Sequence, residues 1–181
     1  IYGLAKSQRY DQIEEYTKSL FDAIESDEKD IIITGNRDVD LILREKKKTG
    51  RDNGVNVTVK PIPGNYLSAV RAKDWVVILG NLLDNSIRAA KDSQGKLVAC
   101  EFETVNPYFY GVHIWNDSTI QPNMKDGVPI RDNKEGESGY GIRNCIKCAQ
   151  NYGGDAEFWF DEENRIFHAK ILLPVEKGGE G

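Results

Sequence analysis

Trp75-Val76-Val77-Ile78-Leu79-Gly80-Asn81-Leu82-Leu83-Asp84-Asn85-Ser86-Ile87-Arg88-Ala89-Ala90 is the stretch whose reading decides the fold. Trp75, Ile78, Leu79, Leu82, Leu83, Ile87 and Ala90 recur at spacings of three and four, which predicts a helix over about Val70 to Asp92 with a wide buried stripe. A polar stripe runs beside it. At 3.6 residues per turn, Asn81, Asn85 and Arg88 lie within about 60° of one another, so two amides and a guanidinium border the apolar face. An isolated Asn-x-x-x-Asn is ordinarily satisfied by neighbouring loops, so the stripe acquires meaning only in company.

Outward from this helix the chain alternates between helical and strand patterns. Ile13, Tyr16, Leu20, Phe21 and Ile24 predict an amphipathic helix over Ser7 to Glu25. A second helix is expected after Thr34-Gly35-Asn36, with Asn36 as its cap, running through Leu41, Ile42 and Leu43 to Lys46-Lys47-Lys48. The lysines read as a solvated C-terminal turn favoured by the helix dipole. Val55, Val57 and Val59 alternate into a strand that stops at Pro61-Ile62-Pro63-Gly64. Beyond the central helix, Leu97 to Val105 and Tyr108 to Asn116 read as strands joined at Asn106-Pro107, with Val98, Cys100 and Phe102 on one face. Residues 117 to 138 show almost no periodicity and are long enough to be a functional, lid-like loop. A helix from about Tyr140 to Tyr152 and strands near Ala156 to Phe160 and Ile166 to Leu173 follow. Three helices and about five strands after the first helix imply an α+β two-layer arrangement, helices on one face of a mixed sheet.

Length and charge narrow the function. The 181 residues suit one domain and a short appendage, and the hydrophobic fraction of 39% supplies a core without disulfides. A net charge of −5 has the wrong sign for a general nucleic-acid binder. No apolar run approaches the roughly 18 residues of a membrane span. The chain opens on Ile1 and its one methionine is Met124, so it is expected to be a piece of a longer protein.

Three cysteines are an odd number, and Cys145-x-x-Cys148 falls inside a predicted helix rather than at a helix start after a strand, where a redox pair would sit. Cys100, Cys145 and Cys148 are expected to be buried thiols in a reducing compartment. His113 and His168 alternate with apolar neighbours and belong on the open face of the sheet, as neither nucleophile nor ligand.

Two further features keep company with the asparagine helix. Asn116 shares its strand face with Val112 and Ile114 and ends that buried row where the long loop begins. Gly139-Tyr140-Gly141-Ile142 leads from the loop into a helix, where glycines admit backbone N–H groups to a phosphate and the helix dipole favours it. In this order the chain resembles the ATP-binding catalytic domain of sensor histidine kinases, in the group that also holds gyrase, the Hsp90 chaperones and the MutL proteins. Thr34-Gly35-Asn36 with Asp40, Ile42, Leu43 and Lys46, followed by Ile78 to Asn85, is similar to the peptide-sensing quorum kinases of Gram-positive bacteria.

The resemblance implies a Bergerat-type ATPase fold and gives the residues roles. Asn85 would bind the Mg²⁺ that bridges the ATP phosphates. Asn81 would stand where hydrolysing relatives carry a water-activating glutamate, favouring transfer over hydrolysis. Arg88 would face the triphosphate, Asn116 would accept from the adenine amino group, Lys134 (or Arg131) would be the lid cation, and Gly139, Gly141 and Ile142 would form the phosphate turn. Residues 1–33 would be the end of a dimerisation and phosphoacceptor region, 34–176 the catalytic domain and 177–181 a tail. The acceptor histidine would lie before Ile1 in a membrane receptor that dimerises through its helical hairpin, is anchored by upstream segments and phosphorylates a response regulator from the cytoplasm. A serine kinase of the anti-sigma type and a nucleotide-free dimerising domain are the competing readings.

Overall fold

Asn36 opens the first described helix, α1 (Arg37–Asp52), and its side-chain oxygen accepts from the backbone N–H groups of Asp38 and Val39 at 3.1 and 3.2 Å. This is the cap that the sequence predicts. The computed structural model describes Ile32 and residues 34–61, 66–130 and 140–175. The chain divides into two units, Ile1–Ile33 and Thr34–Gly181, and the architecture below belongs to the second. The helix expected over Ser7 to Glu25 lies outside the described residues.

The inner side of α1 is Val39, Asp40, Leu43, Lys46 and Gly50. Asp40 is fully buried and its Oδ1 accepts from the N–H and hydroxyl of Thr34 at 2.8 and 2.6 Å, pinning the chain where it enters the helix. Gly50 lets α1 lie close on strand β1 (Asn56–Lys60), since a Cβ there would overlap the Val57 side chain. The lysine run corrects the expectation of a solvated last turn: α1 continues to Asp52, so Lys46 sits mid-helix and faces inward.

A short 3₁₀ turn (Tyr66–Ala69) precedes α2 (Ala72–Lys91), whose buried residues Trp75, Ile78, Leu79, Leu82, Leu83, Ser86, Ile87 and Ala90 contain the whole predicted stripe. Trp75 is fully buried, its ring edge-on to Phe102 at 6.1 Å. Its indole N–H donates to the Leu67 carbonyl at 3.0 Å, so the largest core side chain strands no polar atom.

The strands β2 (Leu97–Asn106), β3 (Phe109–Asp117), β6 (Asp155–Asp161) and β7 (Ile166–Pro174) join β1 in a five-stranded sheet of order β1-β2-β3-β7-β6. β1 runs parallel to β2 and the other neighbours are antiparallel. α1, α2 and α3 (Tyr140–Gln150) cover one face. Val98, Cys100 and Phe102 of β2, Tyr110, Val112 and Ile114 of β3, and Ala169, Ile171 and Leu173 of β7 are buried beneath them. This is the mixed α+β sandwich that the periodicities imply.

His113 and His168 occupy the opposite face, as their alternation predicts. Their rings stack with Trp159 and approach one another at 3.0 Å between Nε2 and Nδ1, and burial holds both below the usual histidine pKa. The three cysteines are free and buried, and Cys145 and Cys148 of α3 rest against the Val77 and Asp74 carbonyls of α2.

The stretch 117–138 contains regular structure that its composition conceals. Met124–Lys125 and Val128–Pro129 pair as a small antiparallel hairpin, β4 and β5. Its turn residues Asp126 and Gly127 have φ of 52° and 75°, the two positive angles that a tight two-residue hairpin of this hand demands. Residues 131–139, with Arg131, Lys134 and Gly139, lie outside the described residues.

Candidate functional site

Between α2, the start of α3, the ends of β3 and β7 and the β4–β5 hairpin lies a cleft of about 580 Å³. Asn81, Asn85, Arg88, Asn116, Gly141 and Ile142 all line it, so three separated sequence segments converge on one space. Lys134 and Gly139 are the two candidates outside the described residues.

The asparagine stripe is held by its own helix. Asn81 Nδ2 donates to the Val77 carbonyl one turn earlier at 2.7 Å, which turns its oxygen toward α3. Gly141 accommodates that oxygen: a Cβ at position 141 would stand 2.7 Å from Asn81 Oδ1. The second glycine of the pair is thus favoured by close approach to the Asn81 amide rather than by an unusual backbone angle. Asn85 is half-buried and its amide makes no hydrogen bond among the described residues. Arg88 is exposed at the edge of the cleft.

Asp84 stands between the two asparagines in sequence and also faces the cleft. Lys46 of α1 reaches it, with Nζ 2.9 and 3.1 Å from the two carboxylate oxygens, and has Glu45 at 3.3 Å. Burial would lower the Lys46 pKa, but the hydrogen bond and charge of Asp84, reinforced by Glu45, raise it. The ammonium therefore stays charged and ties α1 to the asparagine helix. The sequence reading missed this pair because its two residues lie on different helices.

Asn116 is 1% exposed. Its Nδ2 donates to the Asp117 carbonyl at 2.8 Å, whereas Oδ1, itself buried, has no hydrogen-bond partner among the described residues. A buried acceptor left unsatisfied costs about 1–3 kcal/mol, and this one belongs to a residue that lines the cleft. Its cross-strand neighbour Phe167, with Ala169 and Ile142, lines the same cleft with apolar surface. An apolar wall with one amide oxygen left over suits a flat heteroaromatic ring with an amino group.

Ile120, Pro129, Ile130, Tyr140 and Phe167 also line the cleft and were not among the sequence candidates. Asp126-Gly127 was an available signal for the hairpin that brings in Pro129 and Ile130. Phe167 carried none, because its position follows from the β3–β7 register. Among the described residues no group of three or more His, Cys, Asp or Glu could hold a metal. The cleft's amide and carboxylate oxygens suit a hard cation that keeps most of its shell from water or phosphate.

Comparison with solved structures matches the fold. A mycobacterial sensor histidine kinase, MprB, superposes with a TM-score of 0.55 at 16% identity, over 76% of this chain and 93% of that one. The nucleotide-free catalytic domain of the histidine kinase ThkA gives 0.55 at 16% identity, over 74% and 90%. Full-length ShkA in complex with AMPPNP gives 0.58 at 10% identity, over 80% of this chain and 30% of that one. A search of curated proteins by sequence found no match. The family model of the GHKL domain matches residues 70–174, from the turn before α2 to the end of β7. The chain belongs to the GHKL domain family and has the fold of histidine kinase catalytic domains.

Proposed function

We propose that this chain is the ATP-binding catalytic domain of a two-component sensor histidine kinase, transferring the γ-phosphoryl group to a histidine upstream of Ile1. The observation that carries the reading is the buried, unpartnered Oδ1 of Asn116 on the apolar wall of a cleft whose other wall is the Asn81–Asn85–Arg88 stripe. In this reading Asn116 accepts from the 6-amino group of adenine, while Phe167, Ala169 and Ile142 flank the ring. The first turn of α3 at Gly141 offers backbone N–H groups to the phosphates, and Gly139 and Lys134, shortly before it in sequence, are assigned to the same phosphates. Arg88 neutralises phosphate charge from the cleft edge.

Asn85 would hold Mg²⁺ through its uncommitted amide oxygen. Held there, Mg²⁺ would supply positive charge to offset that of the phosphates. Asn81 has no proton affinity with which to activate water, so the site assists transfer rather than hydrolysis: the bond from phosphorus to the bridging oxygen breaks, ADP departs, and a phosphorus–nitrogen bond forms on the imidazole. The phosphohistidine then supplies a response regulator. In the full receptor this domain would lie in the cytoplasm, dimerised through upstream helices.

Calorimetry of ATP binding tests the reading. Wild-type chain is expected to bind ATP only with Mg²⁺, and Asn85→Ala to weaken binding by about tenfold or more, the worth of a charge-assisted contact. No binding at millimolar nucleotide would refute it in favour of a nucleotide-free interaction domain.

A further inference from the structure

An asparagine can recognise a base only if its amide is prevented from turning over. Oxygen toward the cleft selects a 6-amino purine and NH₂ toward the cleft selects a 6-oxo purine, because the flip exchanges an acceptor for donors. A carboxylate needs no such control, its two oxygens being equivalent.

The structure supplies the control through one peptide unit. Asn116 Nδ2 donates to the Asp117 carbonyl at 2.8 Å. The N–H of that same peptide, on Ser118, donates to the Arg165 carbonyl at 2.9 Å, so the planar unit is held by its opposite edge. On the other side, the Asp117 carboxylate accepts from the Leu97 N–H at 3.0 Å, which binds the end of β3 to the start of β2. Gly95 leaves room for that carboxylate, as a Cβ there would overlap it. Arg165 has a positive φ of 58° at the β6–β7 turn, and its guanidinium lies over the Phe160 ring at 5.7 Å and donates to the Thr119 carbonyl. Neither Asp117 nor Arg165 lines the cleft.

We infer that Asp117 and Arg165 are positioning residues for base selection: through the clamped 117–118 peptide they keep the Asn116 oxygen toward the cleft, so that the site admits 6-amino purines and rejects 6-oxo purines. The inference rests on the nucleotide reading of the cleft.

Equilibrium binding of the Mg²⁺ complexes of ATP, ITP and tripolyphosphate tests it, on the wild-type chain and on Asp117→Ala, Asp117→Asn and Arg165→Gly. The wild type should prefer ATP to ITP by about tenfold or more, since ITP sets a carbonyl against a buried acceptor. Asp117→Ala and Arg165→Gly should each cut that ratio by about threefold or more, leaving tripolyphosphate affinity unchanged. Asp117→Asn, which keeps an acceptor for Leu97, should retain the preference. Glycine suits the positive φ of residue 165 and keeps its carbonyl, so Arg165→Gly removes only the guanidinium's hold on Thr119 and Phe160 and decides the side-chain role should Asp117→Ala fail to fold. An unchanged ratio in Arg165→Gly, or equal loss of ATP, ITP and tripolyphosphate affinity, overturns the positioning role. Equal binding of ATP and ITP by the wild type overturns the orientation and leaves the nucleotide reading standing. Absence of ATP binding removes both.

Discussion

Replacing Lys46 with methionine keeps an unbranched apolar stem and removes the ammonium that ties α1 to the asparagine helix. The Lys46 side chain is 11% exposed and that of Asp84 45%. Breaking a fully buried pair costs about 3–5 kcal/mol, whereas an exposed pair is worth about 0–1 kcal/mol. Here the carboxylate left behind is nearly half in water and rehydrates, so the expected loss is about 1–2 kcal/mol. A double-mutant cycle with Asp84→Asn should isolate a coupling of about 1 kcal/mol by urea denaturation. The pH dependence has a definite sign. Lys46 has a folded pKa raised above its ordinary 10.5, so its contribution is complete below that value and is lost as pH rises through the higher folded pKa. The stability gap between wild type and Lys46→Met should therefore be flat near neutrality and close only in strong alkali. A coupling below about 0.3 kcal/mol at pH 7, within the scatter of additive sites, would refute the argument that this pair joins the two helices.

Gly141→Ala should leave stability within about 1 kcal/mol of wild type, because alanine favours a helix, but its Cβ must displace the Asn81 amide; Mg²⁺·ATP affinity should fall by about tenfold, and unchanged affinity by calorimetry would refute the close approach. Burial pushes the Cys145 thiol up to about 12 and that of Cys148 up to about 11, and raises Cys100 further still. All three should therefore resist iodoacetamide in the native chain at pH 8 and label together on denaturation, as followed by mass spectrometry; rapid labelling of native Cys145 would contradict its burial.

Much of the fold was legible because its signals are local. The α2 stripe from Trp75 to Ala90, the Asn36 cap and the alternations around Val57, Cys100, Ile114 and Ile171 each reflect one element facing one core. Lys46 was misread because a run of three lysines suggests a solvated face, whereas its spacing from Val39, Leu43 and Gly50 puts it on the inner side of α1. The β4–β5 hairpin was overlooked for the opposite reason: Asp126-Gly127 is a strong turn signal, but two-residue strands are too short to display a period.

The cleft shows where such legibility ends. Sequence order brings Asn81, Asn85, Asn116 and Gly141 into view as residue types, yet the chemistry of an amide depends on which atom it presents. Asn81 and Asn116 each spend their NH₂ group on a backbone carbonyl, that of Val77 in one case and of Asp117 in the other. Both therefore keep the oxygen as the group left for another partner. The Val77 bond follows from helical geometry alone, four residues back. The Asp117 bond depends on a peptide held by Arg165, which is distant in sequence and adjacent only through the β3–β7 register. Asn85, which makes no hydrogen bond among the described residues, is the amide left able to turn toward a cation. A cleft whose oriented amides offer acceptors selects partners that bring donors or positive charge, and an aminopurine nucleotide accompanied by a hydrated cation brings both.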